Sequence, residues 1–115
     1  MPSLSGAAAP IDLDHLHKMT LSDSALEREV LLLFVEQTAD LMRALTSLPD
    51  NAAVLAHTLK GSARAIGAFR VAEAAGALEA ALHAKGHARE AFTRLEAEVG
   101  EARQAAAALL AQSEP

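Results

Sequence analysis

Between Phe92 and Leu109 the residues Phe92, Leu95, Val99, Ala102, Ala106 and Leu109 recur near every 3.5 positions. That spacing lines them along one side of an α-helix and along no face of a strand. A helix with such a stripe must bury it against other elements, and the rest of the chain supplies them. Val71, Ala75, Leu78 and Leu82 form a second stripe of the same kind. After a restart at Pro49-Asp50, a third centres on Leu59, with Ala52, Leu55, Ser62, Ala63 and Ile66 within about 60° of it at about 100° per residue. A fourth helix is expected from Ser24 to about Leu48, with Leu26, Val30, Leu33, Phe34, Gln37 and Leu41 facing the core. On this helix Leu31, Val35, Thr38 and Met42 make another stripe on the opposite side, more apolar than a solvent face requires. A short helix from Asp12 to Met19 is expected to point Leu13 and Leu16 inward.

The breaks between these stretches are short. Ser24 and Glu27 have the spacing of a capping box, and Gly67 and Gly86 are placed to end their helices as left-handed C-caps. About a quarter of the residues are alanine, against three Phe and neither Trp nor Tyr, which favours helix over sheet. Short connections make consecutive helices antiparallel. The fold expected is all-α, an up-down-up-down four-helix bundle with a short N-terminal capping helix. Residues 1–10 read as a flexible tail and 11–112 as a single domain, with fraying expected in the terminal AAAALLAQSEP.

Other readings fall away on elementary grounds. The chain has 115 residues, room for one domain. It has no cysteine, hence no disulfide framework, thiolate metal site or cysteine nucleophile, and a cytoplasmic location is expected. A net charge of −5 disfavours a phosphate-backbone partner, so no nucleic acid is expected. The longest strongly apolar run, Val30 to Val35, is far shorter than the roughly 20 residues that span a bilayer, and the opening MPSLSGAAAP lacks the basic start and apolar core of a signal peptide.

The helix centred on Leu59 holds the chemistry. His57 lies about 160° from Leu59, with Arg64 and Gly61 beside it and Lys60 on the flank at about 100°. Alone, an outward histidine is a surface residue. Gly61, however, stands in mid-helix, where glycine costs about 1 kcal/mol relative to alanine, and one turn from the His57 ring it clears space for another molecule to approach. Lys60 and Arg64 are positioned to stabilise negative charge placed on that ring. No Glu-x-x-His pair suited to a di-iron bundle is present, no Gly-x-Ser-x-Gly elbow occurs, and neither His15/His17 nor His83/His87 makes a metal pair.

The run His57-Thr58-Leu59-Lys60-Gly61-Ser62-Ala63, continuing to Ile66-Gly67-Ala68, resembles the signature of histidine-containing phosphotransfer (HPt) domains, and Leu78-Glu79 answers the family's Leu-Glu on the next helix. The resemblance implies that His57 accepts a phosphoryl group and exchanges it with the aspartate of response-regulator receiver domains, including one borne by a hybrid histidine kinase. It implies that Lys60 neutralises phosphate charge, that Gly61 admits the receiver and that Glu79 hydrogen-bonds the imidazole. It also implies that Mg²⁺ resides in the receiver, this chain having no cofactor of its own and no autonomous kinase activity. The stripe of Leu31, Val35, Thr38 and Met42 is then the receiver-docking surface, or else a bed for the first helix, on a protein expected to be a monomer. The rival is a helical-bundle adaptor that binds a receiver or kinase without being phosphorylated.

Overall fold

Each helix begins or ends where a local device satisfies its free backbone groups, and these devices set the boundaries of the fold. The computed structural model describes residues 9–112, and along them run α1 (Leu13–Thr20), α2 (Ser24–Leu45), α3 (Ala52–Ile66), α4 (Phe69–Ala84) and α5 (Ala88–Gln112). Among the described residues there is no strand. Asp12 caps α1 by accepting from the His15 backbone N–H. Asp23, not Ser24, caps α2 by accepting from the Leu26 N–H at 3.0 Å. The expected capping box does not form, because Glu27 instead accepts hydrogen bonds from His17 Nδ1 at 2.7 Å and Thr20 Oγ1 at 2.9 Å. Helix α2 stops at Leu45, short of Leu48.

Gly67 ends α3 in the left-handed conformation at φ 89°, as expected. A Cβ there would also lie 2.9 Å from the Asp12 carbonyl oxygen, so space and backbone conformation both call for glycine. At the end of α4 the left-handed residue is Lys85, not Gly86, a strained choice for a residue with a side chain. Residues 1–8 of the expected tail and residues 113–115 of the expected frayed end lie outside the described residues. Ala9 is buried and Pro10 half-buried, and α5 continues to Gln112.

The four long helices pack in a closed ring, α2 on α3, α3 on α4, α4 on α5 and α5 back on α2, with α1 laid against α2 and α3. At one end of the α2–α5 seam Arg28 Nη1 donates to the Leu110 carbonyl, and at the other Arg89 Nη1 donates to the Thr46 carbonyl. Arg70 pairs at 2.8 Å with both Glu98 and Glu101, and Arg94 at 2.8 Å with Glu73, along the α4–α5 seam. Leu45, Leu59, Val71, Leu78 and Leu95 are fully buried at the centre. Each removes enough apolar surface from water to stabilise the fold by about 1.5–3 kcal/mol. Ala52, Ala56 and Ala63 on α3 and Ala72 and Ala75 on α4 are also buried, small side chains that let two backbones approach closely. Of the two α1 leucines expected inward only Leu16 is buried, together with Thr20, since Leu13 is 36% exposed.

Helix α2 is turned about its axis from the expectation: of the stripe expected inside, Phe34 is buried and Val30 and Leu41 are half-buried against the core, while the rest faces outward. Its buried residues are Leu31, Phe34, Thr38 and Leu45, and Val35 and Met42 are half-buried against the same core. The stripe expected to dock a receiver is therefore the core stripe. Leu26 and Leu33, expected inside, are 39% and 63% exposed, and Gln37 is exposed too. Thr38 tolerates burial because its hydroxyl donates to the Phe34 carbonyl at 2.8 Å, so no polar group is left without a partner.

Candidate functional site

Burial of Leu59, Ala63, Ala56, Ala52 and Ile66 fixes the rotation of α3 about its axis. That rotation turns Val54, His57, Thr58, Gly61, Arg64 and Ala65 outward. The His57 side chain is 67% exposed, yet one ring nitrogen is held: Nδ1 lies 3.0 Å from Oε2 of Glu79 on α4. The other carboxylate oxygen, Oε1, accepts from Lys60 Nζ at 2.7 Å. Glu79 is half-buried. Its pKa is lowered, foremost by the Lys60 hydrogen bond and then by that from His57, against partial burial that pushes it the other way.

This geometry settles which nitrogen of His57 is free. An ionised carboxylate can only accept hydrogen bonds, so Nδ1 carries the proton it donates to Glu79. In the neutral ring Nε2 then holds the lone pair. A carboxylate behind an imidazole does two things: it fixes tautomer and orientation, and it stabilises positive charge that develops on the ring.

Around the ring the surface is concave and mostly apolar. Ala53, Val54, His57, Thr58, Glu79 and His83 line a hollow of about 240 Å³. A Cβ added to Gly61 would meet nothing within 4 Å, so no neighbour in this chain requires glycine there, and the space it leaves faces outward. On α4, a Cβ at Gly76 would come to 3.4 Å from Lys60 Cδ, an ordinary contact with a flexible side chain, so the lysine stem passes over Gly76 on its way to Glu79.

The structure thus brings together His57, Lys60 and Glu79 and leaves Arg64 apart, exposed and without an ion pair to any described residue. Periodicity within one helix did not reveal that Lys60 points to Glu79 or that His83 shares the hollow. Both follow from how α3 and α4 are set against each other. The signal available was the i, i+4 spacing of Glu79 and His83, which puts them on one face of α4.

A second exposed apolar area adjoins this face. Leu33 and Gln37 of α2, with Val30 and Phe34 beneath them, and Ser62 and Ala65 of α3 border a groove of about 240 Å³. The other histidines serve the frame. His15 Nε2 donates to the Ala65 carbonyl at 3.1 Å and its ring meets Phe69 edge-on at 5.1 Å, tying α1 to the α3–α4 turn. No group of three or more His, Asp or Glu among the described residues is arranged to hold a metal ion, and no helix among them is long and apolar enough to cross a membrane.

The family model of the Hpt domain matches residues 29–111, which take in α3, α4, nearly all of α5 and α2 beyond its first turn. The chain belongs to the Hpt domain family. Comparison with curated proteins and with solved structures returns no match. Hpt domains are phosphotransfer intermediates of two-component phosphorelays and interact with response-regulator receivers. Histidine phosphotransfer in such a relay is accordingly the function class of this protein.

Proposed function

We propose that His57 is the phosphoacceptor, taking a phosphoryl group from the aspartate of a receiver domain and returning it to another. The single observation behind this reading is the Nδ1–Glu79 contact at 3.0 Å on a ring that is 67% exposed. In the transfer, the Nε2 lone pair attacks phosphorus of the receiver's aspartyl phosphate. The Nε2–P bond forms as the P–O bond breaks, and the aspartate carboxylate leaves with the bonding pair. The Nδ1 proton stays on the ring, whose new positive charge is offset by Glu79. Retracing the step phosphorylates the next receiver, so flow in both directions uses one geometry.

Lys60 keeps Glu79 ionised and is the ammonium closest in sequence to the reacting ring. Arg64 adds long-range positive charge to the approach. Gly61 lets the partner's acidic pocket, with the Mg²⁺ that we place there, reach the ring. We assign docking to the exposed face of α2 at Leu33 and Gln37 together with Ser62 and Ala65 of α3, in place of the stripe that is buried. The ring of helices is read as an up-down-up-down bundle acting as a monomer, and a hybrid kinase's receiver is a suitable donor. A non-phosphorylated adaptor would have no use for a carboxylate that orients the imidazole.

The test is incubation with a ³²P-labelled phosphorylated receiver and Mg²⁺. Label should pass to this protein and be lost in acid but retained in alkali, as an N–P bond requires. Label that stays on the receiver, or that is alkali-labile on this protein, overturns the reading.

A further inference from the structure

The hollow beside His57 must accommodate a phosphoryl group with three oxygens if the ring is phosphorylated, and the donors available to those oxygens are few. Ala53 and Val54 offer none. The Lys60 ammonium is turned to Glu79 at 2.7 Å, and the Glu79 carboxylate can only accept. Two side chains that line the hollow with His57 have a proton to donate: Thr58, the next residue on α3, and His83, one turn beyond Glu79 on α4. His83 is exposed and lies in the last turn of its helix, where the backbone carbonyls favour a donor or cation.

We propose that His83 is a second contact for the phosphoryl group, donating a ring N–H to one of the oxygens of phosphorylated His57. The inference rests on His57 as phosphoacceptor and extends that site across to α4. Its chemical consequence follows from how an N–P bond breaks. Phosphoryl transfer passes through a loose transition state in which the oxygens push electron density toward phosphorus. A hydrogen bond to one of those oxygens opposes the push, so His83 lengthens the life of phosphohistidine against water.

The experiment loads the protein without a receiver, using ³²P-phosphoramidate: Nε2 attacks phosphorus, the N–P bond of the reagent breaks, and ammonia leaves. The half-life of the label is then followed for the parent, His83→Ala and His83→Arg, with His57→Gln as the loading control. His83→Ala should shorten the half-life about threefold, the effect of one modest hydrogen bond, and His83→Arg, which restores a donor, should bring it back. Thermal melting of all three should coincide, since the position is exposed. Equal half-lives in the parent and His83→Ala overturn the role of His83 while leaving His57 in place. Loading of His57→Gln equal to the parent's overturns the phosphoacceptor reading and this inference with it.

Discussion

Two histidine–glutamate pairs stand at different places on this molecule with nearly the same bond. His57 Nδ1 meets Glu79 Oε2 at 3.0 Å across α3 and α4, and His17 Nδ1 meets Glu27 Oε2 at 2.7 Å across α1 and α2. The glutamates are about equally covered, 19% and 18% exposed. The surroundings differ. Oε2 of Glu27 accepts from both His17 and the buried Thr20 hydroxyl, so that carboxylate closes the corner where the chain turns through Leu21 and Ser22, both at positive φ. Glu79 divides its two oxygens between His57 and Lys60, and its histidine opens onto a hollow beside a glycine. An oriented imidazole is therefore only one part of a transfer site. A cation on the same carboxylate, as Lys60 is, and a glycine one turn from the ring, as Gly61 is, are the others; the α1–α2 pair also borders a hollow, of about 260 Å³ with Arg28 in its wall, but no glycine lines it.

The most severe way to break this comparison is to remove each histidine in turn. His57→Gln should lower label uptake from a phosphorylated receiver by at least about 100-fold, the loss expected when a nucleophile is deleted. His17→Gln should take up label as the parent does. Uptake abolished by His17→Gln, at unchanged helicity, would make the two pairs partners in one function.

Much of this arrangement was legible along the chain, and the parts that were not share a cause. On α3 one face holds Ala52, Ala56, Leu59, Ala63 and Ile66 and the other holds His57 and Gly61, so helical arithmetic identified the outward ring correctly. On α2 it failed. Leu26, Val30, Leu33 and Phe34 on one side and Leu31, Val35 and Met42 on the other are both apolar enough to be core, and the buried face takes Phe34 from the first and Leu31 and Thr38 from the second, the polarity of Thr38 being cancelled by the Phe34 carbonyl. Which stripe turns inward depends on the neighbours α3 and α5, and nothing within the helix states it. Cap positions erred by one residue where two candidates adjoin, Asp23 beside Ser24 and Lys85 beside Gly86. The Lys60–Glu79 bond and the position of His83 depend on the register between two helices, which no single-helix pattern encodes.

The exposed face of α2 gives the next largest effect. Leu33 is 63% exposed, so Leu33→Asp should leave the bundle folded and weaken receiver binding about tenfold, as loss of a central apolar anchor does. Val35 is half-buried against the core. Val35→Asp should lower unfolding free energy by about 2 kcal/mol or more, because it places a carboxylate among apolar side chains without a partner. Titration calorimetry and denaturant melts separate the two. A stable Val35→Asp protein with lost binding, beside a Leu33→Asp protein that binds normally, would return docking to the opposite stripe.

Charge at the two glutamates gives a smaller and pH-dependent difference. The pKa of Glu79 is lowered in the folded protein, chiefly by Lys60. Between that lowered value and the ordinary one the unfolded chain binds more protons than the folded. The resulting stabilisation is complete above the ordinary carboxylate range and is lost as pH falls through it toward the lowered value. Melting of the parent and Glu79→Gln should therefore differ most above the ordinary carboxylate range and converge as pH falls through it. The amide that this substitution introduces can still accept from Nδ1 but offsets no ring charge, so transfer by Glu79→Gln should slow about fivefold. Glu27→Ala should cost about 1 kcal/mol of stability through lost hydrogen bonds and leave transfer unchanged. A gap between parent and Glu79→Gln that widens as pH falls would reverse the sign assigned to this carboxylate.

The finest test concerns the open approach, because Gly61 distinguishes the two pairs without touching either. Within the chain its substitution is free of conflict: a Cβ would meet nothing within 4 Å, the backbone there is ordinary helix, and alanine is favoured over glycine in a helix interior by about 1 kcal/mol. Part of that gain comes from the unfolded chain, which has fewer conformations to lose when glycine is replaced. Gly61→Ala should accordingly melt higher than the parent. The added methyl points into the space one turn from His57, where a receiver must bring its aspartate in line with Nε2, and in-line transfer is sensitive to small displacements of the reacting atoms. Transfer should slow about threefold in the same protein that has become more stable, a small effect by the standard of overpacked contacts. Uptake of label from phosphoramidate, a donor small enough to pass the methyl, should be unchanged. Loss of both routes together would show that the methyl disturbs the imidazole itself. Retention of both would show that the glycine clears no path, and that the two histidine–glutamate pairs differ by Lys60 alone.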